Sequence, residues 1–335
     1  MKLNRRKFVQ SSVALGVATG LGTMPFNLSA KPKETTIKIG IIGLDTSHSP
    51  AFTKLFNAPN PKAELTGFQV VAAYPYGSRD IESSYKRIPE YTQQVQELGV
   101  RIVDSIEALL DAVDVVLLET NDGKPRLEQA REVIRAKKPF FIDKPVAANL
   151  ADTLRIYQEA RSAGVPIFSA SSLRYLRNAQ AARNEGKVGK VLACDAFSPA
   201  TLETGHTDLF WYGIHGVEIL FTVMGPGCES VTRFSAADQE VVVGTWTDGR
   251  IGTFRGMRSG KHDYGGIAFG SEGNLVLGSY EGYEPLVLKI AEFFKTGKSP
   301  VDDAETLEIY AFMEAADESK RKGGEKVLLR DFFPA

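Results

Sequence analysis

Between residues 36 and 170, short runs of β-branched and aromatic residues alternate with segments of helical period, and this alternation restricts the fold more than any other feature of the chain. Strands are expected at 37–44, 68–74, 101–104, 113–119, 140–143 and 165–170. Helices at 50–57, 106–112, 125–136 and 149–163 separate them. Strands joined through helices lie parallel, and the near-continuous apolar runs require cover on both faces, so a doubly wound parallel α/β sheet is expected.

Beyond 170 the pattern changes. Strand candidates at 190–197, 230–235, 240–246, 250–256, 266–270 and 273–277 follow one another closely, with Asp248-Gly249 as a hairpin turn, which predicts a mostly antiparallel open sheet. A helix at 208–224 interrupts them, and helices at 285–296 and 304–322 close the chain. The expected organisation is a dinucleotide-type α/β domain over 31–170 and an α+β domain over 171–335 for substrate binding and oligomerisation.

Residues 1–30 are different again. Lys2, Arg5, Arg6 and Lys7 stand there without any acid, followed by an apolar small-residue run at 13–24 that is short for a membrane span. The segment reads as a signal peptide, and Asn4-Arg5-Arg6-Lys7-Phe8-Val9 as a twin-arginine export signal, which predicts a periplasmic or exported protein; a signal-anchored one is the alternative. The full chain carries a net charge of -1, and its loss of residues 1–30 would leave -5. That balance argues against nucleic-acid binding through a general positive excess. No membrane association is expected beyond the signal segment. Two cysteines cannot build a disulfide framework, and four histidines leave little material for a metal cluster, so no metal is expected.

The first strand runs into Gly43-Leu44-Asp45-Thr46-Ser47-His48-Ser49. In a Rossmann-type domain this turn carries glycines so that backbone can approach a diphosphate at the N-terminus of the next helix. Gly43 keeps the first fingerprint position, whereas Asp45 and His48 hold the other two. A carboxylate at Asp45 repels a diphosphate unless it turns away to cap the helix, while Thr46, Ser47 and Ser49 offer hydroxyl donors. After the second strand, Tyr74 stands where an acid would hold a ribose. Ser78 and Arg79 suit a 2′-phosphate, which favours NADP over NAD if a dinucleotide binds. A plain helix cap and a solvated loop are the competing readings of these two turns. A stronger signal is Phe141-Ile142-Asp143-Lys144-Pro145. A lysine at the C-terminal end of a parallel strand stands at the ligand crevice, and Pro145 biases Lys144 toward extended backbone. Desolvation there lowers its pKa and lets it move a proton.

Asp143-Lys144-Pro145 does not stand alone. It is joined by Glu119-Thr120-Asn121, Glu128-Gln129-Ala130, Arg174-Tyr175, Gly213-Ile214-His215 and the stretch 312–319. In this order the set resembles the glucose-fructose oxidoreductase and inositol dehydrogenase (Gfo/Idh/MocA) family, from about residue 37 to the C-terminus. The resemblance implies Lys144 as catalytic lysine and His215 as the acid/base toward a sugar hydroxyl. It also implies an NAD or NADP site that adds Thr120, Asn121, Asp143 and Lys144 to Gly43, Asp45, Thr46, Ser47, His48, Ser78 and Arg79. The acid that the family usually has four residues before the histidine is Trp211 here. Asp208, Trp211, His215 and Glu218 fall at helical spacings on one face, so one of the two carboxylates is expected to orient His215 and Trp211 to stack on a sugar. Arg174 and Tyr175 are further candidates for orienting or binding substrate, and simple packing around His215 is the competing reading. His206 and His262 receive no role.

The leading functional expectation is an NAD(P)-dependent oxidoreductase moving hydride between nicotinamide and a hydroxyl-bearing carbon of a sugar, glycoside or polyol. One alternative is a glycoside hydrolase or lyase working through transient oxidation with retained NAD(H). Another, motivated by Asp45 and His48, is a non-catalytic sugar-binding protein that has lost the nucleotide. The partner is a small carbohydrate, and the open second sheet suggests a homo-oligomer.

Overall fold

The six apolar runs before residue 170 pair as β1 (Ile37–Ile42), β2 (Phe68–Tyr74), β3 (Arg101–Ile102), β4 (Val115–Leu118), β5 (Phe140–Ile142) and β6 (Ile167–Phe168). This is a computed structural model, and it describes residues 36–333. The signal-peptide reading of 1–30 therefore lies outside the described residues. All pairings are parallel, in the order β3-β2-β1-β4-β5-β6. The order reverses between β1 and β4, which opens a crevice at the C-terminal ends of β1, β4 and β5. Every residue of β4 and β5 is buried, as expected for central strands covered on both faces.

Local chemistry sets the helix ends. The helix Leu150–Ala163 begins where the Asn149 side chain accepts the Asp152 N–H at 2.8 Å, and it ends at Gly164, whose φ of 65° is the left-handed conformation glycine adopts without strain. Three helices escaped the periodicity, one of them the single turn Glu82–Tyr85. Ile88–Glu97 buries only Val95, and Arg177–Asn184 buries only alanines, so neither writes an apolar stripe into the sequence.

The second sheet contains β7 (Val191–Pro199), β8 (Cys228–Ser235), β9 (Gln239–Trp246), β10 (Ile251–Met257), β11 (Gly265–Gly270), β12 (Gly273–Leu277) and β13 (Val327–Leu328). Its order is β12-β11-β7-β10-β9-β8-β13, antiparallel except between β7 and β10. Burial alternates along β9, so one face is packed and the other open. The packed face rests on Ile214–Met224, a helix buried along its whole length, and on Asp303–Arg321. The expected division at 170/171 separates the strands of the two sheets. It does not separate the helices, because Glu284–Thr296 returns to bury Leu286, Val287, Ile290 and Phe293 in the cluster that holds Phe141 and Phe168. Cys194 and Cys228 are buried free thiols. Among the described residues no helix is long and apolar enough to cross a membrane.

One expected helix is corrected. The segment 208–213 forms turns and the helix starts at Ile214. Asp208 is drawn out of line by cations: Arg233 at 2.7 Å, Lys320 at 3.0 Å, and Arg258. The common helical face of Asp208, Trp211, His215 and Glu218 therefore does not form.

Candidate active site at the sheet crevice

The turn after β1 closes tightly on the turn after β4. Gly43 has φ 101°, and a Cβ there would lie 2.3 Å from the Thr120 backbone nitrogen, so this position requires glycine. Asp45 then folds inward, fully buried. Its carboxylate accepts the Asn121 N–H at 2.9 Å, the Ser78 N–H at 3.2 Å and the Ser84 hydroxyl, tying together the segments that follow β1, β2 and β4. Burial raises its pKa despite these donors. Asp45 thus cross-links the crevice wall and does not cap the helix that begins at His48. The Ser78 hydroxyl accepts N–H groups of Asp80 and Ile81, both at 3.2 Å, so it serves its own turn, while Arg79 is exposed.

Arg126 fixes the loops after β4 and β5. Fully buried, it donates to Thr120 O at 2.7 Å, to Pro145 O at 2.6 Å and to Asp143 O. The Lys144–Pro145 bond is cis. Lys144 reaches a cavity of about 170 Å³ lined also by Thr46, Ser47, His48, Asn121, Trp211 and His215. Tyr212, Tyr264, Tyr280 and Tyr283 add aromatic wall, with Ser83 and Arg87 beside them. The Lys144 ammonium lies 5.7 Å from the centre of the Tyr212 ring. Burial lowers its pKa; Asp143 opposes the shift and Arg126 adds to it.

His215 receives a hydrogen bond partner that the sequence reading did not name. Its Nδ1 lies 2.7 Å from Ser171 Oγ, which leaves Nε2 for a ligand. Ser171 Oγ already accepts the Leu173 N–H at 3.2 Å, so its own proton is free to point at Nδ1. Burial, then Lys144 and His48, push the His215 pKa well below 6.5, so the ring is neutral at neutral pH.

The expectation that Asp208 or Glu218 orients His215 is corrected. Asp208 belongs to the Arg233–Arg258–Lys320 network, and Glu218 pairs with Arg174, which also binds Glu305 at 2.8 Å. In each case the cations outcompete a neutral imidazole for the carboxylate. Arg174 is thus an internal tie. Tyr175 lies away from the cavity, against Pro285 and Leu288, with its buried hydroxyl unpartnered. His206 accepts the Gly123 N–H at 3.0 Å, and His262 is exposed.

Sequence reasoning missed Ser171, Arg87, Arg126 and all four tyrosines. The tyrosines come from segments far apart in the chain, and no spacing rule brings them together. Arg126 and Arg87 carried no signal beyond charge.

Residues 37–171 match the model of an oxidoreductase family with an NAD-binding Rossmann fold. Over that stretch, which holds the first sheet, the chain is similar to the Gfo/Idh/MocA oxidoreductase family. Solved structures extend the likeness of fold over the second sheet. The myo-inositol dehydrogenase of Lactobacillus casei, solved with NAD(H) and myo-inositol, superposes with a TM-score of 0.67 at 17% identity, covering 88% of this chain and 97% of that one. The scyllo-inositol dehydrogenase of the same organism gives 0.68 at 15%, covering 89% and 99%. An oxidoreductase from Thermotoga maritima gives 0.69 at 17%, covering 89% and 100%. No curated protein matches in sequence.

The residues fit the reacting end of the family's nicotinamide cofactor better than its diphosphate end. Lys144, Asn121 and the aromatic wall surround a space of ring size. At the other end Asp45 and His48 replace the glycines, but Asp45 faces inward. Thr46, Ser47 and Arg87, which makes no ion pair among the described residues, border the cavity with donors suited to an anion.

Proposed function

We propose that the protein is an NAD(P)-dependent oxidoreductase acting on a hydroxyl-bearing carbon of a sugar, glycoside or polyol. The observation that carries this reading is the convergence of Lys144 and His215 on one small cavity walled by Trp211 and tyrosines. When bound, the cofactor supplies or accepts the hydride. Thr46, Ser47 and Arg87 would hold its anionic part, with Asn121 and Lys144 nearer the ring. Lys144, shifted toward its neutral form, takes the proton of the substrate hydroxyl as the carbonyl forms. Neutral His215, steadied by Ser171, hydrogen-bonds the same oxygen through Nε2. The aromatic wall lies against the apolar face of the sugar and excludes water.

The alternative of a sugar-binding protein without nucleotide rests on one specific observation, the loss of two fingerprint glycines to Asp45 and His48. A panel of sugars, glycosides and polyols, assayed with NAD and NADP by absorbance of the reduced nicotinamide, separates the two. Turnover of at least one polyhydroxylated compound is expected. A protein that binds sugars yet neither binds nor reduces either dinucleotide is the sugar-binding alternative instead.

Two further proposals accompany this one. The open face of the second sheet exposes Phe197, Phe234, Ile251, Ile267 and Val276, apolar side chains suited to a second copy of the chain. Export by the twin-arginine route would deliver the enzyme folded and loaded, where free nicotinamide is scarce.

A further inference from the structure

His48, which borders the cavity, meets Glu119 and Asp143, and the proposed hydride chemistry uses none of the three. His48 Nδ1 stands 2.8 Å from Asp143 Oδ2 and 3.8 Å from Glu119 Oε2, and one ligand atom from each residue falls within 4.8 Å of the others. All three side chains are buried, Glu119 completely. Neither oxygen of Glu119 has a hydrogen-bond partner, and Asp143 has only the 2.8 Å contact with His48 Nδ1, an ion pair when the ring is protonated. The cations nearby do not supply partners either. Arg126 spends its donors on the carbonyls of Thr120, Asp143 and Pro145, and Lys144 turns to the cavity. Buried carboxylates stripped of water and left unbonded are costly, and a cation bound between them removes that cost.

We propose that His48, Glu119 and Asp143 bind one divalent transition-metal ion between the start of the helix that begins at His48 and the C-terminal ends of β4 and β5. One imidazole nitrogen with two carboxylates suits Mn²⁺, Fe²⁺ or Zn²⁺ rather than a soft monovalent ion or an all-oxygen site. His48 also borders the cavity, so a fourth position can be taken by water or by an oxygen of a bound ligand. The scarcity of histidines in the sequence argued against a metal, but this donor set needs only one. It also gives a reason for His48 at a fingerprint position where the fold otherwise prefers glycine. The competing arrangement is a metal-free cluster in which Glu119 keeps a proton and shares it with Asp143.

The test reads metal binding and does not depend on nicotinamide or turnover. The full-length protein is stripped with a chelator, exchanged into metal-free buffer and checked for fold by circular dichroism. It is then titrated with Mn²⁺, free ion being read by electron paramagnetic resonance, and with Zn²⁺, retained ion being read by mass spectrometry after gel filtration. One equivalent per chain is expected, with affinity at least a hundredfold weaker in Glu119→Gln and Asp143→Asn. Folded wild-type protein that retains neither ion overturns the proposal in favour of the shared proton, and so does binding unchanged in both variants. Should the variants fail to fold, the Mn²⁺-loaded wild type must show a single imidazole nitrogen coupled to the ion in spin-echo spectra. Absence of that coupling also overturns the site.

Discussion

Replacing Asp45 with alanine is the sharpest test of how this chain has rebuilt its nucleotide turn. The carboxylate satisfies three donors, the half-buried Asn121 N–H at 2.9 Å and the buried Ser78 N–H at 3.2 Å and Ser84 hydroxyl. Each donor left unpaired costs about 1–3 kcal/mol. Relief of the carboxylate's own desolvation, the largest influence on its raised pKa, returns part of that sum. A net loss of about 3 kcal/mol is expected, and Asp45→Asn, which keeps one acceptor oxygen, is expected to lose roughly half as much. Urea unfolding followed by far-ultraviolet circular dichroism measures both. A loss below about 1 kcal/mol for Asp45→Ala would refute the cross-link, since surface substitutions fall in that range. The same position bears on the cofactor. Asp45→Gly removes a like charge from the diphosphate end, a repulsion of about 1–2 kcal/mol at an effective dielectric near 20, so NAD(P) binding by calorimetry is expected to tighten roughly tenfold. Unchanged affinity would mean that the inward-facing carboxylate is not felt by the cofactor.

Lys144→Ala and His215→Ala are each expected to lower kcat by about 10²–10⁴-fold with the fold intact by circular dichroism; undiminished turnover removes that residue from the site. Ser171→Ala is expected to reduce kcat by about 5–20-fold through a poorly held imidazole, whereas Glu218→Gln should cost mainly stability, because its partner is Arg174 and not His215. The opposite ranking in kcat would restore a carboxylate orienter. For substrate oxidation, the rate should rise with pH as Lys144 loses its proton, with an apparent pKa below 10.5, because burial disfavours the ammonium. No inflection near 6.5 is expected from His215, whose pKa is displaced well below that value, and a limb there that disappears in His215→Ala would contradict this assignment. Phe234→Lys on the open sheet should shift any homo-oligomer toward smaller species in sedimentation; an unchanged distribution would place the interface elsewhere.

The parallel sheet was legible because its central strands are buried on both faces and therefore write unbroken apolar runs between helical periods. Lys144 was legible for the same reason: a charge directly after a buried strand has nowhere to stand but the crevice. What failed was reasoning from spacing where tertiary charge decides. Asp208 and Glu218 were placed beside His215 by helical periodicity, yet each is captured by arginines from elements far away in sequence. A cap on its own helix was one of the readings open for Asp45, and the side chain turns instead toward Ser78 and Asn121, partners that only the strand order brings near. Ser171 and the four cavity tyrosines were silent, since a hydroxyl or ring acquires a role only through neighbours that the fold supplies. The triad of His48, Glu119 and Asp143 is of the same kind, drawn from the start of one helix and the ends of two strands.

The central claim is that this altered crevice still serves a nicotinamide cofactor. The folded protein, purified without added cofactor, can be denatured and its released small molecules examined by absorbance and mass spectrometry, with a titration of the same preparation by NAD and NADP. The account predicts released nicotinamide dinucleotide approaching one per chain, or saturable binding of at least one of the two forms. No released nicotinamide and no binding of either form would contradict it.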